Sequence, residues 1–217
     1  MPSLREAVLQ SPGRSREERA RLFADLKQAK EEKFQSQRER KRPVDFSWFV
    51  TDADGWQWWR DPFNDDTDTM NYAFRDYFHG QRKQFPYRDL QTRYSNGSPP
   101  PFPDIAPIRE PHVSQAFRSQ ANDGLMVAIS VPIWDEEGKT VIGVLARTTE
   151  LVHLLDDYGE GIRGGDEVDR VVALVQCADG KILNHPGLTP KRMKELSDEQ
   201  YAALALAEPL AGEVRSL

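Results

Sequence analysis

Two runs, GLMVAISVPI (Gly124 to Ile133) and TVIGVLART (Thr140 to Thr148), are separated only by WDEEGK. Each is rich in aliphatic and β-branched residues, and each is far shorter than a membrane span, so each reads as a strand. A connection this short folds the second strand back on the first. The chain is therefore committed to an antiparallel sheet. VSQAFRS (Val113 to Ser119), just before the pair, reads as a third strand.

A second hairpin is written into DFSWFVTDADGWQWWR, Asp45 to Arg60, where two aromatic and β-branched runs flank DADG. Trp48, Trp56, Trp58 and Trp59 make it a heavy aromatic ribbon. Upstream, Ser15 to about Arg42 is dense in helix formers, and Leu22, Phe23, Leu26, Ala29 and Phe34 form a narrow apolar stripe. Such a stripe suits a helix lying on its own domain, or a seam seeking a second copy. Pro43 ends it. The acidic stretch DPFNDDTDT offers Asp61, Asp65, Asp66 and Asp68 as oxygen donors, but it lacks the spacing of a calcium loop and reads as solvated.

FRDYFHG, Phe74 to Gly80, reads as a helical turn or two closed by glycine. It places Arg75 among Tyr72, Phe74, Tyr77 and Phe78. A guanidinium in such company needs a partner, because burying it unpaired costs several kcal/mol. That partner is Asp76, another internal acid, or a group from outside. Proline-rich sequence between Phe85 and Pro111 excludes a central strand or helix and makes a surface excursion.

After Thr149, ELVHLLDDY reads as a short helix, and VDRVVALVQC with ADGKILNHP as a strand-turn-strand unit. Thr189 with Pro190, and Ser197 with Gln200, mark helix starts. About fifty residues are too few for an independent core of ordinary size, so this part reads as a partial second lobe. The expected divisions are 1–44, an N-terminal helix; 45–158, a complete lobe; and 159–217, the partial lobe.

Several functions are disfavoured. A net charge of −6 argues against a phosphate-backbone binder, so nucleic acid is not an expected partner. The single cysteine, Cys177, allows no internal disulfide. No apolar run is long enough to span a bilayer, and MPSLREAVLQ lacks the pattern of a signal peptide. Gly159-x-Gly161-x-x-Gly164 follows a helix and precedes a strand, the reverse of a dinucleotide site, and reads as a connector. His79, His112, His153 and His185 have no metal-ligand spacing, and Ser114, Ser119 and Ser130 stand in no nucleophile elbow. The expectation is a non-enzyme without cofactor or metal.

The order of these motifs, with RDYF, PHVSQAFRS, VAISVPIWDEEGKTVIGVLA and VVALVQCADGKILNHP, resembles the Cache family of extracytoplasmic sensor domains. It is most similar to the double-Cache sensors of membrane-anchored serine/threonine kinases from planctomycete-type bacteria. The resemblance covers Ser15 to about Gly187 and is most specific from Asp45 to Thr149. It implies an α+β fold, a PAS-like antiparallel sheet flanked by helices. A ligand would bind in the distal lobe, and a homodimer would form through the N-terminal helix. Membrane attachment would come only through segments outside this chain, with the domain facing out of the cytoplasm.

In amino-acid-binding members an R-x-aromatic-aromatic segment holds the ligand carboxylate, which matches Arg75, Tyr77 and Phe78. Those members hold the amine with a tyrosine and an aspartate. This sequence has His112 near the first place and Thr148 at the second, so an ammonium would lack its counter-charge. The expected ligand-binding set is Arg75, Tyr77, Phe78, His112, Ser114, Phe117, Ser130 and Thr148, and the expected partner is a small molecule, a carboxylate being what Arg75 suits. The alternatives are a dimerisation module without ligand and an enzyme whose site is assembled from distant residues.

Overall fold

The computed structural model describes residues 2–40, 45–83, 85, 93–96, 99–122 and 124–151, with the strands Leu174–Gln176 and Lys181–Asn184. The chain forms two compact units, Met1–Gln115 with Val127–Thr149 and Ala116–Met126 with Glu150–Leu217. The class is α+β, with an open six-stranded sheet flanked by helices.

The first unit begins with helices α1 (Leu4–Gln10), α2 (Arg16–Leu22) and α3 (Ala24–Glu39). Ser3 with Glu6 and Ser15 with Glu18 form capping boxes that start α1 and α2; each glutamate accepts the cap N–H, at 2.7 and 2.8 Å. The single helix expected from Ser15 is broken at Phe23. The break turns the Phe23 ring into the core, where it stacks on Trp59 at 5.7 Å, while Arg19 Nη2 donates to both oxygens of Asp68 at 2.8 and 2.7 Å. Further along, buried Lys30 of α3 reaches the carboxylate and carbonyl of Asp61. Two of the four carboxylates expected to be solvated are therefore claimed by helix cations.

The strands are β1 (Ser47–Asp52), β2 (Gln57–Asp61), β3 (His112–Val113), β5 (Leu125–Trp134) and β6 (Val141–Glu150), in the order β2-β1-β6-β5-β3. β1 pairs antiparallel with β2 and with β6; Phe49 stands across from Arg60 and from Ala146. Because side chains alternate along a strand, the sheet has two distinct faces. One carries Trp48, Val50 and Leu145 beneath the helices, in a core with Ala7, Val8, Phe23, Trp56, Trp58, Trp59 and Ile133. At its β3 end Val113, Ile129 and Val131 remain exposed. The other face, called here the site face, carries Ser47, Phe49 and Thr51 with Ala146 and Thr148, and Ala128 and Ser130 of β5.

The β1–β2 turn is built by Asp52. Its carboxylate accepts the N–H groups of Asp54 and Trp56 at 3.0 and 2.9 Å and the Trp58 indole N–H at 2.7 Å. Burial pushes its pKa from 3.8 up to about 6, against those three hydrogen bonds. The folded state thus keeps this proton longer than the unfolded chain does. Asp52 contributes stability that is present below pH 4 and is lost as pH rises through about 6. The Asp52 carboxyl carbon is expected to titrate near pH 6 by NMR. Asp52→Asn should remove the matching fall in melting temperature between about pH 3 and about pH 7, roughly one unit beyond either end of the titration.

In the second unit, β4 (Phe117–Arg118) pairs with Met126 and Leu125 at the start of β5. The turn between them is closed by the Ser119 N–H on the Gly124 carbonyl at 2.8 Å. The expected strand Val113–Ser119 is accordingly two short pieces. β7 (Leu174–Gln176) and β8 (Lys181–Asn184) pair antiparallel, as the strand-turn-strand reading anticipates. The helices expected in 150–158 and after Thr189, and the glycine connector, lie outside the described residues, apart from a helical Leu151.

Candidate functional site

The segment from Met70 to Gly80 lies against the site face. Its backbone is tied to the hairpin by Tyr72 N–H donating to the Gly55 carbonyl at 2.7 Å and by Asn71 Nδ2 donating to the Asp54 carbonyl at 2.8 Å. It ends in α4 (Asp76–His79), capped by Gly80 at φ 69°, as the sequence predicts. The Tyr77 ring meets Phe49 edge to face at 5.0 Å. Tyr72 stands 6.5 Å from Tyr77 and 6.0 Å from Phe74, so Phe74, Tyr72, Tyr77 and Phe49 form a continuous aromatic row. Arg75, half-buried, sits over the Phe74 ring at 4.9 Å.

Asp76 is fully buried, and its charge is spent locally. Oδ1 accepts the Arg82 N–H at 2.6 Å, and Oδ2 accepts the Gln115 N–H at 2.8 Å and lies 3.1 Å from His112 Nε2. His112 is in turn paired with Ser130, whose hydroxyl donates to the His112 carbonyl at 3.3 Å. Ser114 donates to the Gln115 carbonyl at 2.8 Å and accepts the Ala128 N–H at 3.0 Å. Thr148 shares a 2.7 Å hydrogen bond with Ser47. Arg75, Tyr77, His112, Ser114, Ser130 and Thr148 are thus gathered about one face of the first unit. Phe78 is fully buried and contributes its carbonyl to the Ile108 N–H at 2.7 Å. Phe117 belongs to β4 in the second unit.

His79 is fixed as the neutral imidazole. Its Nδ1 accepts the Gln81 N–H at 3.1 Å, leaving Nε2, 3.2 Å from the Phe74 carbonyl, as the donor. Burial lowers its pKa below the ordinary 6.5, which favours the same form. Among the described residues no cluster of histidine, cysteine, aspartate and glutamate is arranged to hold a metal ion.

Sequence reasoning missed Arg60. It stands across from Phe49, on the site face, in QWWRD, where two adjacent tryptophans obscure the alternation. Both are buried because the ladder shifts register between Val50 and Thr51. Burial pulls the Arg60 pKa below the usual arginine value, and the phenols of Tyr72 and Tyr77 lie near enough to oppose the shift, together with Asp61.

No family model matches the chain, and no curated protein matches it. Among solved structures it is similar to the ligand-binding domain of the Pseudomonas fluorescens chemoreceptor CtaA in complex with L-valine, at 16% identity over 73% of this chain and 56% of that one, TM-score 0.42. The same domain with L-serine gives 16% over 66% of this chain and 48% of that one, TM-score 0.41. The ligand-binding domain of the Pseudomonas aeruginosa PAO1 amino acid chemoreceptor PCTC, with GABA, gives 15% over 93% of this chain and 72% of that one, TM-score 0.47. The chain spans about half the length of the CtaA chains it matches. At this level of likeness the site is read from its own residues.

Proposed function

We propose that the first unit is the small-molecule-binding lobe of a signal-sensing module, with its ligand held between the aromatic row and the site face of the sheet. The observation that carries this reading is the composition of that face. Small side chains, Ala128, Ser130, Ala146, Thr148 and Ser47, make the floor. Large rings and two guanidinium groups, Arg60 and Arg75, stand beside them. Apolar walls with a few orienting polar groups are how small-molecule sites are built.

In this reading Arg75 receives a ligand carboxylate through its planar fork, and Tyr77 packs against the ligand body. The reading agrees with the Cache resemblance, and with it goes a lobe outside the cytoplasm in a membrane-anchored receptor with a kinase output. The stripe residues Leu22, Phe23 and Leu26 are already packed on the lobe's own sheet. Pairing with a second copy would therefore use the outward face of α3, and light scattering of the purified chain tests it.

Arg75→Ala is expected to weaken binding of a carboxylate ligand about 10- to 150-fold, the loss of one charge-assisted hydrogen-bonded contact. Titration calorimetry of wild type and variant measures this. Equal affinities would remove Arg75 from the site.

A further inference from the structure

We propose that Arg60 is a second anion-binding residue of this site, and that its ligand carries two acidic groups and no ammonium. The inference rests on the ligand-binding reading of the same face and deepens it.

Arg60 projects from β2 onto the site face, directly across from Phe49, at the end of the aromatic row opposite Arg75. It is half-buried, yet among the described residues no carboxylate forms an ion pair with it. Its contacts are the Pro62 carbonyl and, at 5.9 Å, the Phe46 ring. The neighbouring Asp61 acts on it only by charge at a distance and forms no ion pair with it. Asp61 pairs across from Trp48, on the helix-covered face, where Lys30 takes its carboxylate. A guanidinium partly withdrawn from water without an acid carries some of that cost, and an acidic group of a ligand over Phe49 and Tyr77 would offset it with a bidentate contact.

The same accounting disfavours an ammonium. Asp76 faces this side of the sheet, but both of its oxygens are already accepting hydrogen bonds within the fold. Thr148 is committed to Ser47. Among the described residues of this face an ammonium would meet the Arg60 guanidinium and one carboxylate, Asp76, that is fully buried and already hydrogen-bonded. A further polar group awaits a partner on this face, the fully buried Thr51 hydroxyl, which forms no hydrogen bond among the described residues. Buried orphan hydroxyls of this kind are ordinarily satisfied by water or ligand.

The test is calorimetric titration of the purified chain with succinate, glutarate, propionate and L-valine, repeated with Arg60→Gln and Arg60→Lys. A dicarboxylate is expected to bind most tightly. Arg60→Gln should weaken it by about 10- to 100-fold while altering propionate affinity less than about threefold, and Arg60→Lys should fall between. Melting curves without ligand establish that each variant is folded, and Arg60→Lys stands in if the glutamine variant is not. Dicarboxylate affinity unchanged in the folded variants, or L-valine bound more tightly than either dicarboxylate, overturns the inference and leaves the ligand-binding reading in place. No binding of any of the four compounds to the wild type overturns both.

Discussion

Asp76→Ala is expected to lower the melting midpoint of the protein by roughly 10 °C, from a loss of about 3 to 5 kcal/mol at about 2 to 4 °C per kcal/mol. The carboxylate is fully buried and accepts the Arg82 and Gln115 N–H groups as well as facing His112. Alanine orphans two backbone donors together, and each buried unsatisfied group costs about 1 to 3 kcal/mol. One of the two belongs to a residue at positive φ, Arg82 at 54°, which the hydrogen bond holds in place. Asp76→Asn keeps one acceptor but turns an amide against a donor, so its effect should fall between alanine and wild type. Thermal denaturation followed by circular dichroism gives the size, and hydrogen exchange at Arg82 and Gln115 gives the place. A shift under about 2 °C, less than 1 kcal/mol, would contradict the assigned role.

Gly55→Ala should cost roughly 2 to 4 kcal/mol and weaken ligand binding as well. Gly55 has φ 87°, and a Cβ there would lie 2.6 Å from both the Cβ and the backbone nitrogen of Ala73. No side-chain rotation relieves a clash with backbone, so the segment bearing Tyr72, Arg75 and Tyr77 must move away from the hairpin. The tie at risk is the 2.7 Å bond from Tyr72 N–H to the Gly55 carbonyl. Gly138→Ala is the control. It has a comparable φ of 67° but open space around its would-be Cβ, so only the conformational cost of about 1 kcal/mol applies. Equal destabilisation by the two substitutions would show that the contact with Ala73 is not the cause.

The parts of the fold that were legible in the sequence are those specified locally. The DADG turn, with Asp52 binding its own backbone, gave away the first hairpin, and the short WDEEGK connection gave away the second. Gly80 marked the end of α4 for the same reason. What was hidden depends on partners far along the chain. Asp68 and Asp61 read as solvated because Arg19 and Lys30 stand 49 and 31 residues away. The strand expected from Val113 to Ser119 is interrupted because the Gln115 N–H leaves the ladder for the Asp76 carboxylate, and the Ser114 hydroxyl replaces a backbone carbonyl in bonding the Ala128 N–H. Neither substitution of partner has a local signature. α1 was missed although its S-x-x-E box was visible, since seven residues supply too little periodicity to recognise.

The site was legible to the same extent. Arg75 among rings drew notice because its local setting is unusual, and the aromatic row explains that setting. His112 was placed by the family resemblance, while strand pairing joins it to Ser130 and its ring joins it to Asp76. Arg60 could have been found only by counting alternation back from Phe49 across a register shift.

The central claim is that the face bearing Arg60, Tyr77 and Arg75 binds a small acidic molecule. The most direct measurement is a thermal-shift titration of the full chain with mono- and dicarboxylates, run in parallel on wild type and on the Arg60→Gln, Arg75→Ala double variant. A ligand at about 100 times its dissociation constant adds roughly 2.7 kcal/mol, which in a protein of this size raises the midpoint by about 5 to 10 °C. The account predicts such a rise for the wild type and its loss in a double variant that still unfolds cooperatively. A flat wild-type response, or a rise that survives in the double variant, would contradict it.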